Sequence, residues 1–258
     1  MNDRFVLIFD FETTGLPKNG WEKYEIVTTY NTSKGIFVNP SNEKDFPYAV
    51  QLSYILYDNL LHKSKIVDEI IRLPEGVEIT PESLAIHNIS LNMTQGKNRK
   101  VKNKRTGRFR MQYHLTIDEV LLKFMKDFEK AEVIVSHNIL FDKNMLLVEM
   151  DRLRKLPEKK FSVFEKYISE IYYNKKEFCT ARHGKNTCKI LSINKLGREY
   201  YKIPKLTFLY KYLFKEDPDE SKLHNALYDV LLCMRCFYKM KYDIDIVEID
   251  EKIKNLLN

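Results

Sequence analysis

Asp10 and Glu12 stand two residues apart in Phe9-Asp10-Phe11-Glu12-Thr13-Thr14-Gly15-Leu16, at the end of an apolar run. Residues two apart on a strand point the same way, so both carboxylates share one face while Phe9 and Phe11 pack on the other. Two close carboxylates repel and raise each other's pKa unless a cation lies between them. Taken alone, the pair also fits a strand end emerging into solvent. Two later segments weigh against that. Ser136-His137-Asn138-Ile139-Leu140-Phe141-Asp142 sits where a strand gives way to a helix, and Leu223-His224-Asn225-Ala226-Leu227-Tyr228-Asp229 opens the last long helix. Each has His-Asn with an Asp four residues after the Asn. Asn138 and Asn225 are expected N-caps, which puts Asp142 and Asp229 in first helical turns, near the positive end of the helix dipole. Capping accounts for either segment alone. The repetition, behind a strand carrying Asp-x-Glu, is hard to attribute to capping preference.

Asp10, Glu12, Asp142 and Asp229 together make a strongly anionic site with no lysine or arginine in the motifs to offset it. Such a site calls for divalent cations, and oxygen-only ligation suits Mg²⁺ or Mn²⁺. Two ions about 3.5–4 Å apart stabilise both the attacking and the leaving oxygen of an in-line phosphodiester displacement. Histidine titrates near neutral pH, so His224 is the candidate base that takes the proton of the attacking water.

These segments resemble the three motifs of the DEDDh group of DnaQ-like 3′-to-5′ exonucleases, and the resemblance covers most of the chain. Asp10 and Glu12 match the first motif, Asp142 the second, and His224 with Asp229 the third. The sister group has Tyr four residues before the last Asp, where Asn225 stands here, so Tyr228 is not the base. The resemblance implies a ribonuclease H-like fold, two Mg²⁺ (or Mn²⁺) ions, and release of nucleoside 5′-monophosphates from a 3′ end. It implies that Asp10 bridges both ions, that Glu12 and Asp229 hold the nucleophile-side ion, and that Asp142 acts directly or through water. It also implies substrate contacts at Thr13, Thr14, Leu16, Asn138 and Phe141, with the backbone at Thr13 and Thr14 holding the 3′ hydroxyl and Leu16 wedging against the last bases. Ile86-His87-Asn88-Ile89-Ser90 is similar to the Ile-His-Gly-Ile-Thr segment of proofreading exonucleases of the DNA polymerase III epsilon type, with Asn88 in place of Gly. That similarity favours DNA, in which case proofreading and repair need a separate polymerase as partner. His87 reads either as a packing residue or as a substrate contact. The competing functions are a 3′-to-5′ exoribonuclease and a catalytically inactive nucleic-acid-binding module on the same fold; the presence of all four acids and His224 argues against the module.

Elements must bring these residues together. Residues 5–11, 49–57 and 66–73 read as strands joined in a meander. Residues 116–130 read as a helix with a Thr116 and Glu119 capping box, 132–135 as a strand, 140–155 as a helix and 178–181 as a strand. Helices are expected at 206–214, 226–239 and 248–257. The fold class is therefore α/β: a three-strand antiparallel meander, then parallel strands, flanked by helices. One domain is expected over residues 1–258, with insertions at about 17–48, 96–113 and 183–204. The first of these holds Trp21, Tyr24, Tyr30 and Phe37.

A chain of 258 residues, 44% hydrophobic and 31% charged, has material for a buried core, which excludes collagen-like, disordered and disulfide-stapled classes. The net charge of +7 is local: Lys97, Arg99, Lys100, Lys102, Lys104, Arg105, Arg108 and Arg110 form a run without an acid, and the rest of the chain sums to −1. For an enzyme acting on a polyanion, that run is expected to attract phosphates; a solvated loop and a nuclear import signal are the other readings. No apolar stretch has the length of a spanning helix, and residues 5–9 are too short for a signal-peptide core, so an intracellular, reducing location is expected and no membrane partner. Cys179, Cys188, Cys233 and Cys236 are too few for a disulfide framework. Cys233-x-x-Cys236, with Cys179, His183 and Cys188, invites a zinc reading, set against burial of Cys233 and Cys236 in an apolar helix.

Overall fold

A computed structural model of the chain describes residues 3–17, 45–96, 99–102, 109–173 and 175–257. In chain order the elements are β1 (Phe5–Thr13), β2 (Ala49–Asp58), β3 (Lys63–Arg72), α1 (Pro81–His87), α2 (Leu91–Gln95), β4 (Arg99–Lys102), β5 (Phe109–Gln112), β6 (Leu115–Thr116), α3 (Ile117–Phe128), β7 (Val133–Ser136), α4 (Ile139–Arg154), α5 (Val163–Tyr173), β8 (Lys176–Cys179), α6 (Thr180–Cys188), β9 (Ile190–Ile193), β10 (Glu199–Lys202), α7 (Leu206–Phe214), α8 (Ala226–Tyr242) and α9 (Glu251–Leu257). Six strands form the main sheet in the order β6-β3-β2-β1-β7-β8. β1, β2 and β3 are an antiparallel meander, while β7 and β8 run parallel to β1.

The alternation along β1 divides the molecule into two cores. Leu7, Phe9 and Phe11 face one side and pack with residues of α3, α4 and α5. Val6 and Ile8 face the other, against α7, α8 and α9. On the first side Phe124 meets Phe9 at 5.5 Å and Tyr54 edge-on at 5.2 Å between ring centroids. Replacing such a ring by Ala costs about 3–5 kcal/mol. α3 starts with the expected capping box, the Thr116 N–H donating to Glu119 Oε2 at 2.9 Å.

Helix α4 also fixes the chain that re-enters the sheet at β2. Glu149 accepts the Ala49 N–H at 2.8 Å, and Arg152 donates to the Phe46 and Pro47 carbonyls at 2.8 and 3.0 Å while pairing with Glu149 at 3.0 Å. Tyr48, thus held, exchanges hydrogen bonds with Thr14: Thr14 N–H to Tyr48 O at 2.8 Å, and Tyr48 N–H to Thr14 Oγ1 at 3.0 Å.

Several elements differ from the expected pattern. Residues 178–181 are not one strand: β8 ends at Cys179 and α6 begins at Thr180. Residues 183–204 form the rest of α6 and the antiparallel β9–β10 pair rather than an open loop, and residues 99–102 and 109–112 pair as β4–β5. The last helix starts at Glu251 rather than at 248. Helices α1, α2 and α5 lack a counterpart in the sequence reading; α1 and α2 are too short for periodicity and rest on their caps, Thr80 accepting from Ser83 N–H and Ser90 from Met93 N–H. Trp21, Tyr24, Tyr30 and Phe37, with most of the 17–48 insertion, lie outside the described residues. Among the described residues no helix is long and apolar enough to cross a membrane.

Candidate active site

The site forms at the end of β1. Pairing with β7 reaches Ile8 opposite Val135, and β7 stops at Ser136, so β1 runs on without that neighbour. Asp10 and Glu12 continue the row of Val6 and Ile8, the row on which α8 packs. Asp229, in the first turn of α8, is therefore carried to them. One carboxylate oxygen from each of Asp10, Glu12 and Asp229 lies within 4.8 Å of the others, and all three residues are half-buried. Asn225 is the N-cap that the sequence predicts, its side chain accepting from Leu227 N–H at 3.1 Å and Tyr228 N–H at 3.3 Å. With those amides satisfied, Asp229 accepts from the His224 amide and faces the strand.

Asp142 arrives from the opposite side, because α4 packs on the Phe9 and Phe11 face. It is buried, its Oδ1 accepting the Phe11 N–H at 3.1 Å and its Oδ2 the Ser136 hydroxyl. Asp142 thus supplies the hydrogen bond that β1 loses where β7 ends. Its partner Asn138 departs from expectation: it precedes α4 in the left-handed region at φ +70° and its side chain makes no cap bond. Ser136 is the residue that sequence reasoning overlooked; its place directly before His137, at the last position of a strand, is the signal.

Burial dominates the electrostatics. It pushes Asp10 well above the usual carboxylate range, with Asp142, Glu12 and Asp229 adding repulsion. Glu12 is raised to about 8 by burial and then by Asp229 and Asp142. Asp142 and Asp229 are each raised to about 7 by burial, against the pull of their hydrogen bonds. Among the described residues no lysine or arginine forms an ion pair with any of the four. Clustered carboxylate oxygens that are costly to ionise alone are what a hard divalent cation relieves, so the donor set fits Mg²⁺ or Mn²⁺. The cysteines take no part in this cluster: Cys233 and Cys236 are buried within α8 and all four thiols are free.

The two histidines of the paired motifs have different surroundings. His137 is locked, Nδ1 on Thr180 Oγ1 at 2.9 Å and Nε2 on the Pro204 carbonyl at 3.2 Å, and burial lowers its pKa to about 4. His224 is exposed, at φ +60° in the turn before α8, a left-handed conformation that costs about 1 kcal/mol for a non-glycine residue. That turn is tethered by the Asp219 N–H donating to the Tyr228 hydroxyl at 2.8 Å. Tyr228 therefore anchors the loop that carries His224.

Two cavities share His87 as a wall. One, of about 380 Å³, is lined by Glu12, Thr13, Gly15, Leu16, Ile86, His87 and Phe141 among others. The second, of about 400 Å³, includes His87, Asn88, His224, Asn225 and Tyr228. Leu16 is 73% exposed at the rim. Thr14 O accepts from Thr80 N–H at 2.8 Å, and a Cβ on Gly15 would come within 3.1 Å of Thr80 Cγ2, so glycine permits this close approach. His87 is buried, with Nδ1 accepting from Ile89 N–H at 3.0 Å and Nε2 on the Thr13 carbonyl at 3.2 Å. Both ring nitrogens are thus committed within the protein. Of the basic run, Lys100 is exposed on β4; Arg99, Lys102 and Arg110 lie on β4 and β5, and Lys97, Lys104, Arg105 and Arg108 lie outside the described residues.

No family model matches the chain, and no curated protein matches it in sequence. Solved structures do match in shape. The nuclease domain of 3′hExo, described as a DEDDh family member bound to rAMP, aligns with a TM-score of 0.56 over 95% of this chain and 95% of that one, at 13% identity. The chain's fold is that of this nuclease domain. A 3′-exonuclease described in 3′-end specific recognition of a histone mRNA stem-loop shares the fold at TM-score 0.54 and 14% identity, over 95% of this chain. Cell-death related nuclease 4 (CRN-4) does so at 0.50 and 12%, over 93%. The chain spans about two thirds of the length of these last two, 66% and 64%. The ribonuclease H-like sheet expected from the motifs, an antiparallel meander extended by parallel strands, is therefore the observed architecture.

Proposed function

We propose that this chain is a metal-dependent 3′-to-5′ exonuclease that releases nucleoside 5′-monophosphates. The observation that carries the proposal is the meeting of Asp10, Glu12 and Asp229 at one strand end, with Asp142 behind them and His224 exposed beside them. Two Mg²⁺ or Mn²⁺ ions held by Asp10, Glu12 and Asp229, with Asp142 directly or through water, would stabilise the charge on the attacking and leaving oxygens. His224 takes the proton of the attacking water, and its exposure lets that proton pass to solvent. Leu16 and Phe141 offer apolar surface to the terminal bases, and the backbone of Thr13 and Thr14 faces the 3′ hydroxyl. His87 holds the Thr13 carbonyl and so sets that backbone. Asn138, in the left-handed turn before α4, is a further substrate contact in this proposal.

DNA is the favoured substrate, on the Ile86-His87-Asn88-Ile89-Ser90 segment, and proofreading would then need a separate polymerase. One observation favours a second reading, an exoribonuclease: the matched structures are described with rAMP and with a histone mRNA stem-loop. Degradation of matched 5′-labelled DNA and RNA strands with Mg²⁺ separates them. Wild type as inert on both as Asp10→Ala overturns the enzyme reading and leaves a binding module.

A further inference from the structure

The β9–β10 pair stands outside the main sheet and is built to be rigid. Asn194 Oδ1 accepts from Leu196 N–H at 2.9 Å and Arg198 N–H at 3.0 Å, and Gly197 takes the left-handed φ of +74° that the turn requires. Its root is docked beside the site. The Pro204 carbonyl meets His137 Nε2 at 3.2 Å, and the Pro204 ring fits against Gly184, where a Cβ would come within 2.9 Å of it. His137 directly precedes the segment that delivers Asp142, so one end of the hairpin is fixed to the catalytic mouth.

Cross-strand pairing puts Leu191 with Tyr201, and Ile193 with Glu199, on one face. That face is open: Leu191 is 59%, Ile193 65% and Tyr201 42% exposed. Along the same stretch come Lys189, Lys195, Arg198, Lys202 and Lys205, against the single acid Glu199. All five are exposed, and none is ion-paired among the described residues. Glu199 lies on that face and Lys202 on the opposite one, so the positive charge flanks the apolar patch, from Lys195 and Arg198 at the turn and from Lys189 and Lys205 at the root. A hairpin with this excess of unpaired positive charge repels a second copy of itself and suits a polyanion with flat apolar groups. We infer that the β9–β10 hairpin is a binding platform for single-stranded nucleic acid, with Tyr201 stacking on a base beside Leu191 and Ile193 while the basic residues follow the backbone. It rests on the exonuclease reading and deepens it, by giving the strand a binding surface beside the site.

The test is strand binding, read by fluorescence anisotropy in EDTA with a labelled single strand longer than about 16 nucleotides. Tyr201→Ala is expected to weaken binding about tenfold, the loss of one stacked base. Lys195→Gln/Arg198→Gln is expected to weaken it and to lower the dependence of log Kd on log salt. With Mg²⁺, the ratio of kcat/KM for the long strand over a dinucleotide should fall in step. Binding within twofold of wild type for both variants overturns the platform. So does a dimer that Leu191→Asp dissociates without changing strand binding, since the face is then a contact between copies. If wild type cuts normally and the variants bind and cut as it does, the platform alone fails; if wild type never cuts but the variants lose strand binding, the exonuclease reading alone fails.

Discussion

Neutralising one carboxylate of the cluster should stabilise the metal-free protein while abolishing its activity. Glu12→Gln keeps the shape of the side chain and removes its charge. In the unfolded chain Glu12 ionises near pH 4.5, whereas in the fold burial and its neighbours delay ionisation to about pH 8. Between those values the native state holds a proton that the unfolded state has lost, so stability falls as pH rises through the window. His137 works in the opposite direction below about pH 6.5, because burial keeps it neutral down to about pH 4. The interval that His137 leaves free is therefore about pH 6.5 to about pH 8, in which Asp142 and Asp229 also titrate, in variant and wild type alike. At about 1.4 kcal/mol per pH unit, Glu12 contributes up to roughly 2 kcal/mol of destabilisation across it. For a chain of this size that is about 4–8 °C in melting temperature. Thermal unfolding followed by circular dichroism in EDTA should show Glu12→Gln gaining that much on wild type between the two pH values. Mg²⁺ or Mn²⁺ should then raise the wild-type melting temperature at about pH 8 and raise the variant's less, since ion binding to the native state replaces the missing positive charge. A difference between variant and wild type that stays constant or shrinks as pH rises would refute the reasoning.

Other outcomes follow from the same geometry. His224→Ala should lower kcat by about 10²–10⁴-fold, with little change in melting temperature because the residue is exposed; a kcat within about threefold of wild type excludes it as the base. His87→Ala breaks the bonds to the Thr13 carbonyl and the Ile89 amide, and should cost about 2 kcal/mol in urea unfolding while raising KM more than it lowers kcat. Neutralising Lys100, Lys102, Lys104 and Arg105 together should raise KM and flatten its salt dependence with kcat nearly kept; salt dependence equal to wild type removes the phosphate-attraction role.

The elements that face a core were legible in the sequence. β1 and β2 show apolar runs, and α4, α7 and α8 were expected within one to three residues of their observed ends. The β9–β10 hairpin was not, because Leu191, Ile193 and Tyr201 have no core to face and so leave no burial pattern to read. Nor was the left-handed Asn138, since an asparagine before a helix signals a cap in either conformation. The doubled His-Asn-x3-Asp pattern looks like one device used twice; in the fold His137 is locked between Thr180 and Pro204 while His224 lies open.

By itself, then, the sequence determined which side chains could do chemistry and that Asp10 and Glu12 share a face, because the two-residue period of a strand is a local property. Only the tertiary structure decided the company those carboxylates keep. α8 packs on their face and brings Asp229 beside them; α4 packs on the other and leaves Asp142 to reach the site through the Phe11 amide. Which side of a sheet a helix covers is set by non-local packing, and no spacing along the chain records it.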